Sequence, residues 1–265
     1  MADQPIAMFI PEGNGRFIPT AAAIGAWSRD ALHGAAVIAL FAGRLSPSDR
    51  TLARLAVDLV APVPNTALRL EIGPSAGGRR TQRREAVLYA NDRPVANARS
   101  LTIVRAELDL PQKALRQEDP FAGVAIPDLH ESAPELLEII GWENFHSLAV
   151  ATASLTSADG HRGSSEWVAL TMPVVAGEPL LGSEIAAAAA DLASGAIARR
   201  LPWEQWSFKN ADLTLHLTRA PAGAWIGIRT DGVVDDAGAG IASALLYDCR
   251  GRLGQSASTI VVEAR

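Results

Sequence analysis

The sequence predicts an α+β protein made of two copies of one unit, each a long helix wrapped by a curved antiparallel sheet. Three observations carry this. The phrase Ala86-Val87-Leu88-Tyr89-Ala90-Asn91-Asp92-Arg93 returns as Ala244-Leu245-Leu246-Tyr247-Asp248-Cys249-Arg250-Gly251, an offset of 158 between the tyrosines. The same offset lays Leu101-Thr102-Ile103-Val104 on Thr259-Ile260-Val261-Val262, and Pro62-Val63-Pro64 on Ala220-Pro221-Ala222. In both copies one alanine-rich apolar stretch precedes four strand-like runs, and a helix followed by a meander buries its faces by wrapping.

The first unit spans residues 1–106. After a short lead-in, His33-Gly34 opens a helix that runs to about Arg44 and stops near Pro47. Strand runs follow at Thr51–Val60, Thr66–Ile72, Arg80–Ala90 and Val95–Val104, and Asn91-Asp92 turns the last pair into a hairpin. Residues 107–143 read as an interdomain linker, because Pro111, Pro120, Pro127 and Pro134 forbid a long regular element. Ala133–Trp142 has room for a helical turn or two.

The second unit spans residues 144–265. Strand candidates Phe145–Ser154 and Ser165–Pro173 precede a helix from about Ser183 to Arg200. Strands are then expected at Phe208–Leu217, Trp225–Val234, Gly240–Tyr247 and Leu253–Val262, with Asp248-Cys249-Arg250-Gly251 as the matching turn. The offset sets Arg54 opposite Asp212 and places Asp191, inside the second helix, opposite His33. A carboxylate in so apolar a helix is not expected to be buried without a partner, so Asp191 should face the cleft between units or reach a nearby surface. The units are expected to pair through their sheets with both helices outward on one side. The outer edges left over favour a homodimer or higher oligomer.

Composition excludes several function classes. Apolar residues make up 48% of the 265 positions, which is a folding composition rather than a disordered one. A net charge of −5 lacks the basic footprint of a nucleic-acid binder. The start, Met-Ala-Asp-Gln-Pro, shows no secretory pattern, and no run approaches a membrane span, so a soluble cytoplasmic protein is expected. Cys249 is the single cysteine. The histidines at 33, 130, 146, 161 and 216 lack paired ligand spacing, so no metal and no cofactor are expected. Gly-x-Ser-x-Gly, Walker and Gly-Asp-x-Asn-Pro-x-His phrases are all missing, which argues against an α/β serine hydrolase, a P-loop protein and a hydratase. Gly238-Ala239-Gly240 is too short for a dinucleotide fingerprint.

Certain phrases carry a family resemblance. They are Ala26-Trp27, His33-Gly34-Ala35-Ala36 and Gly78-Arg79-Arg80 in the first copy. In the second they are Asn210-Ala211-Asp212-Leu213-Thr214, Arg219 through Trp225, and Leu246-Tyr247-Asp248. Together they resemble the double hotdog thioesterases, the acyl-CoA thioesterase II-like proteins. The resemblance implies a tandem hotdog fold and hydrolysis of acyl-CoA by a carboxylate, a hydroxyl residue and a Gln that activate water, with amides polarising the thioester carbonyl. The substrate brings its own coenzyme A.

Carried onto this chain, the resemblance makes Asp212 the base; read locally, Asp212 could equally form a strand-end turn or pair with Arg219. Where the family has its hydroxyl residue the sequence reads Val233-Val234-Asp235-Asp236, which makes Asp236 a candidate and a solvated turn its alternative. Where the family has Gln the match is Thr259, with Ser258 alongside. Gly34 would present its amide at a helix N-terminus, and His33 would either line the substrate or simply cap the helix. Arg79, Arg80, Arg83 and Arg84 could meet phosphates or be exposed strand residues, and Trp27, Trp203, Trp206 and Trp225 could line an acyl tunnel or the core. One composite site per chain is expected, because only the second copy has a carboxylate at the Asp212 position. The rival from another class is a non-hydrolytic acyl-CoA or small-lipid binding protein.

Overall fold

The computed structural model describes residues 5–111, 114, 121, 126, 140–156 and 162–265. Most of the proline-rich linker, with His130 and His161, lies outside them. The chain opens with a hairpin, β1 (Phe9–Gly13) and β2 (Arg16–Pro19), whose turn residues Gly13, Asn14 and Gly15 all have positive φ. Helix α1 (Gly34–Leu45) follows, then β3 (Arg50–Leu59), β4 (Leu68–Ile72), β5 (Ala76–Gly77), β6 (Thr81–Ala90) and β7 (Arg93–Val104). Asn91 and Asp92 sit at φ 48° and 59°, as a two-residue hairpin turn between β6 and β7 requires.

After the linker come α2 (Phe145–Leu148), β8 (Val150–Thr156), β9 (Arg162–Leu170), α3 (Gly182–Asp191) and α4 (Gly195–Ala198). The chain ends in β10 (Trp206–Asn210), β11 (Asp212–Leu217), β12 (Trp225–Val234), β13 (Ala239–Asp248) and β14 (Gly251–Ala264). Phe145–Leu148, expected as strand, is helical because Asn144 caps it, accepting from His146 N at 2.8 Å.

These strands form one antiparallel sheet in the order β1-β2-β4-β6-β7-β3-β11-β14-β13-β12-β9-β8, with β5 beside β6 and β10 beside β14. From the two ends inward, β1-β2-β4-β6-β7-β3 matches β8-β9-β12-β13-β14-β11. The hairpin β1–β2, expected only as a lead-in, is therefore the counterpart of β8–β9. The halves join where β3 pairs β11, with Ala56 opposite Thr214, Leu55 opposite Leu215 and Val57 opposite Leu213. Ala56 and Thr214 are themselves 158 apart, so a pseudo-twofold axis passes through that pair.

Both helices lie on one face of the sheet and are packed against each other and buried, rather than outward. Residues Ala35, Ala36 and Ala39 of α1 and Ala186–Ala190 of α3 are wholly buried. Such small side chains let the helix backbones approach, while Ile38, Leu40 and Phe41 fill the space against the sheet. Full burial of a side chain of that size contributes about 1.5–3 kcal/mol. The helices run antiparallel: Gly34 at the start of α1 meets Asp191 at the end of α3, and Gly43 meets Glu184 near the start of α3.

The helix expected over Ser183–Arg200 breaks after Asp191 into a 3-10 turn, Leu192–Ser194, and then α4. The Asp191 carbonyl is taken by Asn210 Nδ2 and Ser194 Oγ, which diverts it from the next helical turn. This insertion changes the repeat arithmetic. Gly182 opens α3 148 positions after Gly34 opens α1, so the helices are offset by 148 while the sheets keep 158. The counterpart of His33 is Leu181, and that of Asp191 is Gly43, which corrects the expected His33–Asp191 equivalence.

The β11–β14 junction depends on Gly254, where an added methyl would fall on the main-chain oxygen of His216. Gly254→Ala should destabilise the protein by about 1–3 kcal/mol, the usual cost of overpacking. Thermal unfolding of the variant checks this, and an unchanged melting temperature would show that the strands part freely.

Candidate active site

The start of α1 and the end of α3 create a polar pocket in an otherwise apolar layer. His33 is the N-cap of α1, with Nδ1 accepting from Ala35 N–H at 3.1 Å. Gly34 N–H makes no hydrogen bond among the described residues, which leaves a donor at the positive end of a twelve-residue helix. Asp191 closes the pocket. A Cβ on Gly34 would lie 3.0 and 3.1 Å from the two Asp191 carboxylate oxygens, so glycine is what lets the carboxylate sit there.

Asn210, the last residue of β10, donates through Nδ2 to Asp191 Oδ1. Its own Oδ1 is buried without a partner among the described residues. Asp191 Oδ2 lies 3.6 Å from His33 Nδ1, and His33 Nε2 lies 3.0 Å from His146 Nε2 on α2. Burial pushes the Asp191 carboxyl up to about 6, against the lowering effect of the Asn210 and Ala35 hydrogen bonds. Burial holds His33 well below the ordinary imidazole range, helped by His146, and brings His146 down to about 4. Both rings are therefore neutral at pH 7. A buried carboxylate poised near neutrality beside a free helix N–H is equipped to take a proton from water and to stabilise a developing oxyanion.

The other end of the helix pair differs. Gly43 stands where α3 has Asp191, and the space is filled by Glu184. Its Oε2 accepts from Leu181 N–H at 2.8 Å, and Leu181 has no side-chain donor or acceptor to offer. Burial raises Glu184 to about 7; the Leu181 N–H and Arg44 oppose this and Glu178 adds to it.

The residues expected from sequence fall in four places. His33 and Gly34 are in the pocket. Ser258 is buried on the inner face of β14, with Oγ unpartnered among the described residues. It is two residues from Ile260, the register partner of Asn210. Asp212 and Thr259, in contrast, are on the opposite face. Leu213, Leu215 and Leu217 point inward, so Asp212 points outward, where its Oδ1 accepts from Thr259 N–H at 2.6 Å. What meets Gly34 is Asp191, so the expected base Asp212 and the expected amide of Gly34 are not brought together. Thr259 is exposed on the same outer face. Asp236 is exposed in the β12–β13 turn, where Asp235 Oδ1 accepts from Ala237 N–H, so it stands apart from the pocket. Arg219 pairs with Asp248 rather than Asp212.

Trp27 stacks on Trp203 with ring centroids 4.0 Å apart and meets the edge of Phe208, two residues before Asn210. Arg79, Arg80, Arg83 and Arg84 are exposed. Among the described residues, no group of three or more His, Cys, Asp or Glu is placed to hold a metal ion, and no helix is long and apolar enough to cross a membrane. Asn210 and His146 had no expected role. Asn210 lies inside the quoted phrase before Asp212, within the run Phe208–Leu217 expected as one strand, which the structure divides into β10 and β11. His146 carried no signal beyond its residue type.

The family profile of the acyl-CoA thioesterase C-terminal domain matches residues 117–262, more than half of the chain. The protein belongs to this acyl-CoA thioesterase family. The matched span includes Asp191, Asn210, Ser258 and His146, but not His33 or Gly34. No curated protein sequence matches the chain. Among solved structures it is similar to the tesB protein of Mycobacterium avium subspecies paratuberculosis. That likeness has 14% identity, a TM-score of 0.64, and coverage of 96% of this chain and 95% of that one. It is also similar to a conserved protein with a hot dog fold from Alicyclobacillus acidocaldarius, at 14% identity and TM-score 0.64, covering 97% and 96% of the two chains. An acyl-CoA thioesterase II from Mycobacterium marinum matches at 12% identity and TM-score 0.60, covering 97% and 95%. At such identities the likenesses establish the hotdog fold of this thioesterase family member and nothing about its substrate.

Proposed function

We propose that the protein hydrolyses an acyl-CoA to the free acid and coenzyme A at the junction of α1 and α3, with Asp191 as general base. The observation that carries this is the buried Asp191 carboxylate packed against Gly34 at the start of α1, where Ala35 N–H donates to it. The thioester carbonyl oxygen would rest at the start of α1, where Gly34 N–H and the helix dipole favour negative charge. Water would be held between Asp191 and the free Oδ1 of Asn210, with Ser258 Oγ on the same inner face to accept or donate further. Asp191 takes a proton as the water oxygen bonds to the carbonyl carbon. Collapse of the tetrahedral intermediate breaks the carbon–sulfur bond, and the same proton passes to the departing sulfur.

In this reading the chain is two hotdog units in tandem, 1–106 and 144–265, joined by 107–143. The site is composite and single: the first unit gives the amide and the second the base, and Gly43 removes the base from the other end. No cofactor is required, and a cytoplasmic homodimer or higher oligomer is the matching assembly.

The test is release of free thiol from short, medium and long acyl-CoAs. Turnover of at least one chain length well above the buffer rate is expected. Saturable acyl-CoA binding without thiol release would replace hydrolysis by carriage.

A further inference from the structure

Hydrolysis of a thioester near pH 7 yields a carboxylate and a thiol, so each turnover leaves one proton to be discharged. The nascent acid, weaker in proton affinity than a carboxyl poised near 6, would hand that proton to Asp191. Asp191 is 3% exposed and is walled by α1 and β10. It needs a way to return to the ionised state before the next water can be activated.

We infer that His33 and His146 form the route by which this proton leaves the interior, an inference that rests on the hydrolytic reading of Asp191. The three groups lie in a row: Asp191 Oδ2 to His33 Nδ1 at 3.6 Å, then His33 Nε2 to His146 Nε2 at 3.0 Å. The tautomers follow from the donors. His33 Nδ1 accepts from Ala35 N–H, so the His33 proton is on Nε2 and is donated to His146 Nε2. His146 then carries its own proton on Nδ1, and its side chain is half-buried at the edge of the layer.

A protonated Asp191 can pass its proton to His33 Nδ1 while the Nε2 proton moves to His146 Nε2 and the Nδ1 proton of His146 leaves to water. Every ring is neutral before and after, and one proton has crossed from Asp191 to solvent. Among the described residues the titratable groups facing one another here are Asp191 from α3, His33 from the start of α1 and His146 from α2. Stacking of Phe145 on His33, with centroids 4.6 Å apart, holds the first ring in line. His146 would thus act on turnover without touching substrate.

The experiment reads the row directly. In protein carrying 15N-histidine, the ring nitrogens of His146 should show a step with a midpoint near pH 6, above its own titration, and the step should vanish in Asp191→Asn. A His146 signal indifferent to Asp191 overturns the relay. In the assay, His146→Ala should lower kcat about tenfold or more with KM unchanged, and added imidazole should restore it. His146→Gln keeps a partner for His33 Nε2 but cannot pass a proton, so it should be as slow as Ala. A wild-type rate in either variant, or a slow His146→Ala that imidazole leaves slow, would mean that His146 only supports the docking of α2. If no acyl-CoA is turned over, the hydrolytic reading fails, and the spectra alone still decide whether the three groups are coupled.

Discussion

Asp191→Asn should lower kcat by about 10²–10⁴-fold, the usual worth of a general base, and should at the same time stabilise the protein above pH 7. The second effect follows from linkage. The folded carboxyl is raised to about 6 from an ordinary value of 3.8. Its contribution to stability is therefore fully present below about pH 4 and is lost as pH rises through 6. Above that the ionised group costs about 3 kcal/mol, as an order of magnitude. Asn cannot ionise and keeps an oxygen for Asn210 Nδ2. The variant should match the native protein near pH 4 and exceed it near pH 8. His33 and His146, whose lowered values withdraw stability as pH falls, are common to both proteins and cancel in the difference. Chemical denaturation at the two pH values, beside kcat, checks both parts. Wild-type activity should rise with pH through a midpoint near 6. Unchanged turnover would remove Asp191 from the chemistry, and an equal loss of stability at both pH values would make it a structural residue.

The sheet was more legible than the site, for a physical reason. Strand register is locked by pairing and by the period of two, so a constant offset of 158 survives from β3 through β14, and the Ala56–Thr214 pair falls on the axis it implies. Helices tolerate insertions at their ends. The ten extra positions between α3 and β10 shift the helix offset to 148, and a single offset then misplaces Asp191 against His33. The outward direction of Asp212 was readable from Leu213, Leu215 and Leu217, because alternate residues share a face; a match by phrase alone ignores that direction. The β1–β2 hairpin also had its signal, Gly13-Asn14-Gly15 between Phe9-Ile10 and Phe17-Ile18, hidden only by counting each unit from its helix. His146 could not be found this way. It is 113 positions from His33, and the contact depends on how α2 docks beside the start of α1.

Gly34→Ala should lower kcat about tenfold, and Gly34→Val by about 10²-fold or more, without unfolding the protein. The new Cβ would sit 3.0–3.1 Å from both Asp191 oxygens, tighter than ordinary contact, so the carboxylate must retreat by a few tenths of an ångström. Displacements approaching 1 Å in a reacting group can cost 10²-fold in rate, and the branched valine forces the larger movement. The retreat also lengthens the Ala35 N–H bond, which favours the ionised carboxylate, so the acid limb of the pH profile should move to higher pH. Gly34 has an ordinary helical φ, and alanine is the better helix former by up to about 1 kcal/mol, so the backbone accepts the change. Gly43→Ala is the matched control at the other end of the helix pair, where the methyl meets Glu184 instead. That variant should lose stability and keep kcat, because Glu184 closes a helix start that carries no base opposite it. If the two alanine variants lost activity alike, the room that Gly34 leaves for Asp191 would be a packing requirement, and the α1–α3 junction would have no special claim to the chemistry.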